Sequence, residues 1–326
     1  MKTASAPAVA MALMSLSAFA HHGVAGVGAA GLSGPGAPIE SAASTVLPEG
    51  KVLAYLKVDD ARFKTYDASA VESKYSRFTL LGLGYGVTSW FSAYAFVPYN
   101  EKIAEADGQN SRGFADMSLM GQIGFKYDDG FKMVPKNESL DDLEDWHFSV
   151  FAGGTLPTGN ANHRLSDGTI DPGKSPGFGK PSNSLGITMS KMITDKLTLS
   201  MEAAALRFRK YTYDNGDKVR FGAEKRFNGA LSYRGWSIPE TMFRLDPVLE
   251  LHYLALGRDV ENGTVARATG GQVLYAMPGI RAYWQGMSFA LGIKKPVWTR
   301  LNESSEQQGG EGKEKYRVVF SASLLF

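Results

Sequence analysis

From Lys51 to the C-terminus, apolar and polar residues alternate in segments of about ten residues, separated by runs of turn-forming residues. In the final segment every second residue from Tyr316 to Phe326 is apolar, and in the segments 218–232 and 243–257 most charged residues share one face. Successive side chains of a β-strand point to opposite faces of its sheet, so the pattern predicts strands with one apolar and one polar face. Such strands suit a wall with lipid outside and water inside.

The pattern predicts about twelve strands, and single-chain bacterial outer-membrane barrels have an even number of strands. Short connections alternate with long ones, as expected when short turns face the periplasm and long loops face the exterior. Two connections depart from this order, because the periplasmic segment 127–146 is long and acidic and an Asn215-Gly216 hairpin replaces a long external loop. We therefore predict an all-β, antiparallel transmembrane β-barrel. Its expected strands are 52–63, 76–87, 91–99, 113–126, 147–157, 182–193, 197–213, 218–232, 243–257, 272–284, 288–297 and 315–326.

The N-terminus has the features of a secretory signal peptide. Lys2 precedes a short apolar run, and Ala18-Phe19-Ala20 forms a small-x-small cleavage site, so we expect residues 1–20 to be removed on export. Residues 21–50 are rich in Gly, Ala, Ser and Pro and lack periodicity, which predicts a flexible leader in the periplasm or the barrel lumen. The barrel would then occupy residues 51–326 in the outer membrane of a Gram-negative cell.

The chain ends on Phe326, after a strand with apolar residues at alternate positions. This ending resembles the assembly signal of bacterial outer-membrane barrels, so we expect the barrel assembly machinery to be a partner. The lipids and lipopolysaccharide of the outer membrane would surround the apolar face of the wall.

Three stretches are similar to those of a known outer-membrane family. YSRFTLLGLGYGVTSWFSAYAFVPYNEKI places two strands around a Gly-Val-Thr turn, residues 113–119 read GFADMSL, and residues 156–160 read LPTGN. Over roughly residues 50–326 the chain resembles the family named for the MetA pathway of phenol degradation. The resemblance implies an outer-membrane barrel that transports small molecules, often aromatic or hydrophobic, and it supplies no established binding residues.

Composition narrows the function classes. The chain has 35 Lys and Arg against 33 Asp and Glu, without a basic stripe, so nothing favours nucleic acid as a partner. The mean hydropathy of -0.18 is that of a soluble chain, but the alternating faces of a barrel wall average out. The absence of cysteine excludes thiol catalysis, Cys–zinc sites and disulfides.

The polar face of the predicted wall is the main candidate site. Charges of both signs would pair with one another and set a field across any pore. About twelve strands leave little free space inside, which favours a narrow or plugged channel over an open porin; a salt-bridged filling without a transport path is the alternative. The same alternation of inward and outward side chains predicts that Phe221 and Leu249 face the lipid. The candidate lumen residues are Lys57, Asp59, Asp116, Gln122, Glu202, Arg220, Glu224, Arg226, Arg244, Asp246, Glu250, His252 and Arg281.

We therefore expect a passive outer-membrane channel or transporter for a small solute. A plugged barrel acting as a structural or interaction protein is one alternative, and a copper-handling protein is another. If cleavage follows Ala20, His21 and His22 begin the mature chain, where the amino group and imidazoles can chelate Cu(II). The sequence suggests no other cofactor, and it shows no set of nucleophile, base and orienting group, so no catalytic residues are predicted.

Overall fold

The computed structural model describes residues 37–64, 73–136, 143–302 and 314–326. Twelve antiparallel strands form the wall of a closed barrel, as the alternating pattern predicts. Each strand pairs with its neighbours along the chain, and the first and last strands pair with each other, for example Val58 with Phe320. The wall strands are β1 (Val52–Phe63), β2 (Ser73–Thr88), β3 (Phe91–Ala104), β4 (Ser118–Tyr127), β5 (Trp146–Thr155), β6 (Asn183–Thr194), β7 (Leu197–Arg207), β8 (Glu224–Tyr233), β9 (Phe243–Leu256), β10 (Gly271–Trp284), β11 (Met287–Leu301) and β12 (Glu314–Leu325).

The two faces of the wall differ in chemistry. Burial alternates residue by residue along the strands, without a break in β1. The outward face carries large exposed apolar side chains, including Leu83, Ile187 and Leu251, whereas many of the buried, inward-facing residues are polar or charged. Leu249, which the sequence pattern turns toward lipid, is exposed on the outward face. This division is the one expected for a wall between lipid and an aqueous lumen.

Short elements extend the ends of the wall. Ser111–Phe114 pairs with β3, Phe131–Met133 with β4, and Trp236–Ile238 with β9. A 3-10 turn, Pro239–Thr241, follows the last of these. Within the described ranges, no helix is long and apolar enough to cross a membrane.

The external ends of β7 and β8 are shorter than the pattern predicts, because the chain between them contributes to a second, small sheet. Gly216 at the tip of its first hairpin has a φ of 90°, a conformation that glycine adopts without steric cost. The predicted strands 197–213 and 218–232 therefore each include residues that lie outside the wall. The second sheet contains, in order, Tyr211–Thr212, Lys218–Arg220, Val260–Glu261 and Thr264–Val265.

The prediction that Phe221 faces lipid is wrong. Its ring packs against Phe178 and Phe208, with centroid distances of 5.7 Å and 5.9 Å, in a buried apolar cluster of the external loops. Residues 221–223 connect the second sheet to β8 and belong to neither, so the alternation of side chains does not continue across them.

The long periplasmic segment after β4 attaches to separate parts of the turn-side rim. The Ser89 hydroxyl in the β2–β3 turn donates a hydrogen bond to the Val134 carbonyl at 2.8 Å. The Met192 N–H on β6 donates to the Leu143 carbonyl at 2.7 Å, and Leu143 is buried. The described ends of this segment thus attach to the rim beside the strands that flank β4 and β5.

Candidate functional site in the barrel lumen

Residues 37–48, which we call the plug segment, run through the barrel lumen in an extended path. Ten of these twelve residues are buried, although none belongs to a strand or helix. At its end nearest β1, the Leu47 N–H donates to the Ser92 hydroxyl on β3 at 2.8 Å. The sequence leaves the leader 21–50 in either the periplasm or the lumen. For residues 37–48 the position is lumenal, and their contacts are specific rather than those of a flexible tether.

Glu250 on β9 is the main anchor of the plug segment. One carboxylate oxygen accepts hydrogen bonds from the backbone N–H groups of Ile39 and Glu40, and the bond from Glu40 is 3.0 Å long. The other oxygen accepts the Ser41 N–H at 3.0 Å and the Ser41 hydroxyl at 2.6 Å. Hydrogen bonds to an ionised acceptor are roughly twice as strong as neutral ones. A single wall carboxylate therefore binds three consecutive backbone donors of the leader.

Two more wall side chains continue this contact along the leader backbone. The Ala42 N–H donates to Glu202 on β7 at 2.7 Å, and the Asn228 amide donates to the same oxygen at 3.1 Å. The Gln122 amide on β4 donates to the Ala43 carbonyl at 3.0 Å. The wall thus binds the main chain of the plug segment over five successive residues.

The side chain of Glu40 adds an electrostatic contact. Its carboxylate lies 3.0 Å from Lys294 Nζ, 3.4 Å from Lys57 Nζ and 4.0 Å from His252 Nε2. All of these side chains are at least nine-tenths buried. A buried charge without partners is strongly unfavourable, so the leader carboxylate and the wall cations depend on each other. The Arg281 guanidinium donates a hydrogen bond to the carbonyl of Pro38, the residue before Ile39 in the plug segment.

Glycines in the wall provide the space that the plug segment fills. A Cβ atom on Gly84 would lie 2.8 Å from Leu47 Cδ1, and one on Gly124 would lie 2.8 Å from Val46 Cγ1. Both distances are below normal van der Waals contact. A side chain at either position would therefore displace the leader.

A second set of lumen charges pairs within the wall itself. Arg317 on β12 lies 3.2 Å from Asp59 and 2.7 Å from Glu314. Arg226 lies 2.8 Å from Glu224 on β8. These pairs satisfy buried charge without the leader, so the wall can keep its own ionic network when the leader moves.

The structure divides the predicted lumen residues into three groups. The first group lies against the plug segment and consists of Lys57, Gln122, Glu202, Glu250, His252 and Arg281. The second group forms ion pairs within the wall and consists of Asp59, Glu224, Arg226, Arg244 and Asp246. The third group, Asp116 and Arg220, lies at the extracellular end.

The assignment of Arg220 to the lumen is wrong. Arg220 belongs to the second sheet and its side chain is exposed. The break in alternation at residues 221–223 explains this error and the misplacement of Phe221 together.

Asp116 anchors the external connection between β5 and β6. Its two carboxylate oxygens accept the N–H groups of Gly159 at 2.8 Å and Phe178 at 2.9 Å. Burial raises the pKa of Asp116, and these donors oppose that rise. The stretches 113–119 and 156–160, which carry the family resemblance, therefore meet at a structural anchor.

The sequence reasoning missed several participants in the lumen, among them Lys294, Arg317, Glu40 and Ser41. Lys294 and Arg317 face inward in the alternation of β11 and β12, so a strict count of faces could have found them. Glu40 and Ser41 lie in the aperiodic leader, where no pattern signals a contact.

Among the residues with described positions, no group of three or more His, Asp or Glu side chains is suited to a metal ion. His21 and His22 lie outside the described residues, so the copper hypothesis stays a prediction.

Phe326 lies at the seam between the first and last strands. Its N–H donates to the Val52 carbonyl at 3.0 Å, and its carbonyl accepts the Val52 N–H at 2.8 Å. The ring is exposed on the outside. Its role in assembly stays a prediction.

Comparison with known proteins identifies the family. The family described as "Putative MetA-pathway of phenol degradation" matches residues 64–301. The chain belongs to this family. Among solved structures, an outer membrane channel from Pseudomonas putida F1 is similar to this family member with a TM-score of 0.67 and 12% identity, covering 89% of this chain and 100% of that one. The β domain of the Bordetella autotransporter BrkA has a TM-score of 0.43 and 10% identity, covering 85% and 100%.

The first of these likenesses shows a shared fold, and the second is too distant to carry an argument. No curated protein matches the chain significantly. The closed barrel with its apolar outward face places this family member in the outer membrane, as the sequence predicts.

Proposed function

We propose that this family member is a passive outer-membrane channel for a small apolar or aromatic solute, held closed by the plug segment. The observation that carries the proposal is the manner of attachment. Glu250, Glu202 and Gln122 bind the leader through non-covalent contacts to its backbone. These contacts can break and re-form while the hydrogen-bonded wall stays intact.

The chemistry of the extracellular end supports an apolar solute. Phe178, Phe208 and Phe221 pack in one cluster beneath the external loops. These rings are buried against one another, so a movement of the external loops that opens the cluster would present aromatic side chains, which favour apolar and aromatic ligands over ions. The name of the family, which refers to phenol degradation, is consistent with that class of solute.

Removal of the plug segment tests the proposal. In planar bilayers, a mature chain lacking residues 37–47 should conduct ions well above the wild-type level, because the lumen loses its filling. Proteoliposomes containing this variant should also take up phenol-sized aromatic solutes faster. Deletion of residues 24–34, an equally long part of the leader, is the matched control and should leave both rates near those of the wild type.

A plugged barrel that serves as a structural or interaction protein is the second candidate. The filling of the lumen by residues 37–48 favours it. Under this alternative, neither deletion increases conductance or uptake, although both chains assemble. That result would overturn the channel proposal.

A further inference from the structure

A group of basic side chains clusters outside the lumen, at the extracellular ends of β7 and β8. All of them are exposed, and none has an acidic partner within salt-bridge distance among the described residues. Unpaired cations at such a density repel one another, so this cluster is suited to an anionic ligand. Its members are Arg207, Arg209, Lys210, Lys218, Arg220 and Lys225.

The opposite side of the barrel shows that this excess charge is local. There, Arg62 on β1 lies 2.7 Å from Asp60, and Arg77 on β2 lies 2.9 Å from the same carboxylate. Glu101 on β3 lies 3.6 Å from Arg77. Arg62 and Arg77 are thus neutralised by their neighbours, whereas Arg207 and Lys225 are not.

Two of the unpaired cations share the outward face of adjacent strands. Lys225 pairs with Ala205 across the β7–β8 ladder, so Arg207 is its diagonal neighbour toward the exterior. Diagonal neighbours on one face are about 7–8 Å apart, within reach of long side chains. Arg207 and Lys225 can therefore bind one phosphate group from two sides.

An apolar cavity opens on the same outward face below these cations. It has a volume of about 330 Å³. Two of its lining residues follow the cations along their strands toward the periplasmic end. Phe227 lies two residues from Lys225 on the same face. Ala203 lies four residues from Arg207, or about 13 Å along the strand. Further outward-facing apolar residues of its lining include Ile187, Met201 and Phe148. Positive charge thus lies directly above a cavity that suits a hydrocarbon chain.

We propose that this surface binds the lipid A part of lipopolysaccharide. Arg207 and Lys225 bind one lipid A phosphate, the other four cations attract the second phosphate, and an acyl chain enters the cavity beside Phe227. The position of the cations relative to the apolar cavity, along the membrane normal, distinguishes an outer-leaflet lipid from an inner-leaflet one. The cations lie at the external end of the wall, where an outer-leaflet lipid carries its phosphates, whereas a phospholipid of the inner leaflet carries its phosphate at the opposite end.

Direct binding to the full-length mature protein in mild detergent tests the site. The probes are bisphosphorylated lipid A, the same lipid A with both phosphates removed, and phosphatidylglycerol. The wild type should bind bisphosphorylated lipid A at least about tenfold more tightly than either other lipid, since charge-assisted contacts are lost with the phosphates. Equal affinity for the two forms of lipid A, or for phosphatidylglycerol, would overturn the proposal without any variant.

Substitutions then locate the site. Arg207→Ala/Lys225→Ala should reduce the affinity for bisphosphorylated lipid A by about tenfold. Arg62→Ala/Arg77→Ala removes the same charge from the opposite side and should leave the affinity unchanged. Equal losses in the two double variants would show unspecific attraction and refute a site on β7 and β8. Heat-dependent mobility in detergent confirms that each variant is a folded barrel.

The cavity has its own control. Ala203→Phe fills it and should weaken binding of acylated lipid A, whereas Leu83→Phe adds comparable bulk on the outward face of β2 and should not. Unchanged affinity in Ala203→Phe would show that no acyl chain occupies the cavity and would overturn that part of the proposal.

Discussion

Replacing Glu250 with glutamine should release the plug segment while keeping the shape of the side chain. The carboxylate accepts four hydrogen bonds from residues 39–41, two on each oxygen. Glutamine keeps one acceptor oxygen but turns an amide, which is a donor, toward the other two donors. The Ser41 hydroxyl can reverse and accept from this amide, so the more favourable orientation loses the Ser41 N–H bond, leaves that donor facing another donor, and removes the charge from the three bonds that remain.

The size of the effect follows from these contacts. Hydrogen bonds to charged groups contribute about 1.5–3 kcal/mol each. Taking the lower value for the lost bond and about 0.5 kcal/mol for the charge removed from each of the three others gives about 3 kcal/mol in favour of the displaced leader, which is a shift of on the order of a hundredfold in the equilibrium between bound and displaced states. The pairing of Glu40 with Lys294 and Lys57 is untouched, so the segment keeps a second attachment.

The chain contains no cysteine, which allows a clean accessibility assay. Ala42 is fully buried in the lumen, and Ala42→Cys would provide the only thiol. A small water-soluble thiol reagent should modify this cysteine much faster in the Glu250→Gln background than alone. Channel openings in planar bilayers should rise in parallel.

Asp246→Asn is the matched control. Asp246 is an equally buried lumen carboxylate, but it pairs with Arg244 on its own strand. This variant should leave the labelling rate of Ala42→Cys unchanged. If Glu250→Gln labels no faster than Asp246→Asn, Glu250 does not hold the leader and the reasoning above is refuted.

Further predictions concern assembly, the lipid face, metal binding and the external loops. Deleting Phe326 should lower outer-membrane levels in cell fractions; normal levels would mean that the residue is no assembly signal. Leu249→Arg puts a charge on the lipid face and should destabilise the barrel by about 2–4 kcal/mol near the midplane, measured by urea unfolding in vesicles, and an unchanged midpoint would argue against a lipid-facing position. If mass spectrometry shows that the mature chain begins at His21, replacing His21 and His22 with alanine should abolish tight Cu(II) binding in a titration; equal binding would end the copper hypothesis. Burial raises the pKa of Asp259, in the connection after β9, to about 6, whereas an unfolded aspartate titrates near about 4. The folded loop around Asp259 should therefore be most stable below pH about 4, lose stability as pH rises to about 6, and keep a constant stability above that. Asp259→Asn should remove this dependence in amide exchange.

Much of the wall was predictable because lipid imposes a strict rule on it. Each lipid-facing position must be apolar and each strand alternates, so the phase of β9 follows from Leu249 and Glu250 alone. The prediction failed where lipid no longer constrains the chain. Phe221 and Arg220 lie in external loops, where an apolar side chain packs against other loops and a charged one faces solvent.

The leader could not be placed from its sequence for a different physical reason. Its backbone makes most of the contacts with the wall, and every non-proline residue carries the same N–H and carbonyl groups. Glu250 was identifiable as a lumen residue because its strand has a period. Its partners at residues 39–41 show no periodic pattern, so their contact with Glu250 becomes visible only in the folded structure.

Recognition of main-chain groups also sets how the two partners can change in evolution. Because the wall binds backbone N–H groups, these hydrogen bonds do not depend on the side chain of the leader residue. A different residue at Ile39 or Ala42 still provides an N–H donor to Glu250 or Glu202. The same freedom does not extend to the wall carboxylates, whose loss leaves donors unsatisfied whatever the leader contains. Relatives should therefore retain these two acidic positions more strictly than the leader residues whose N–H groups they bind.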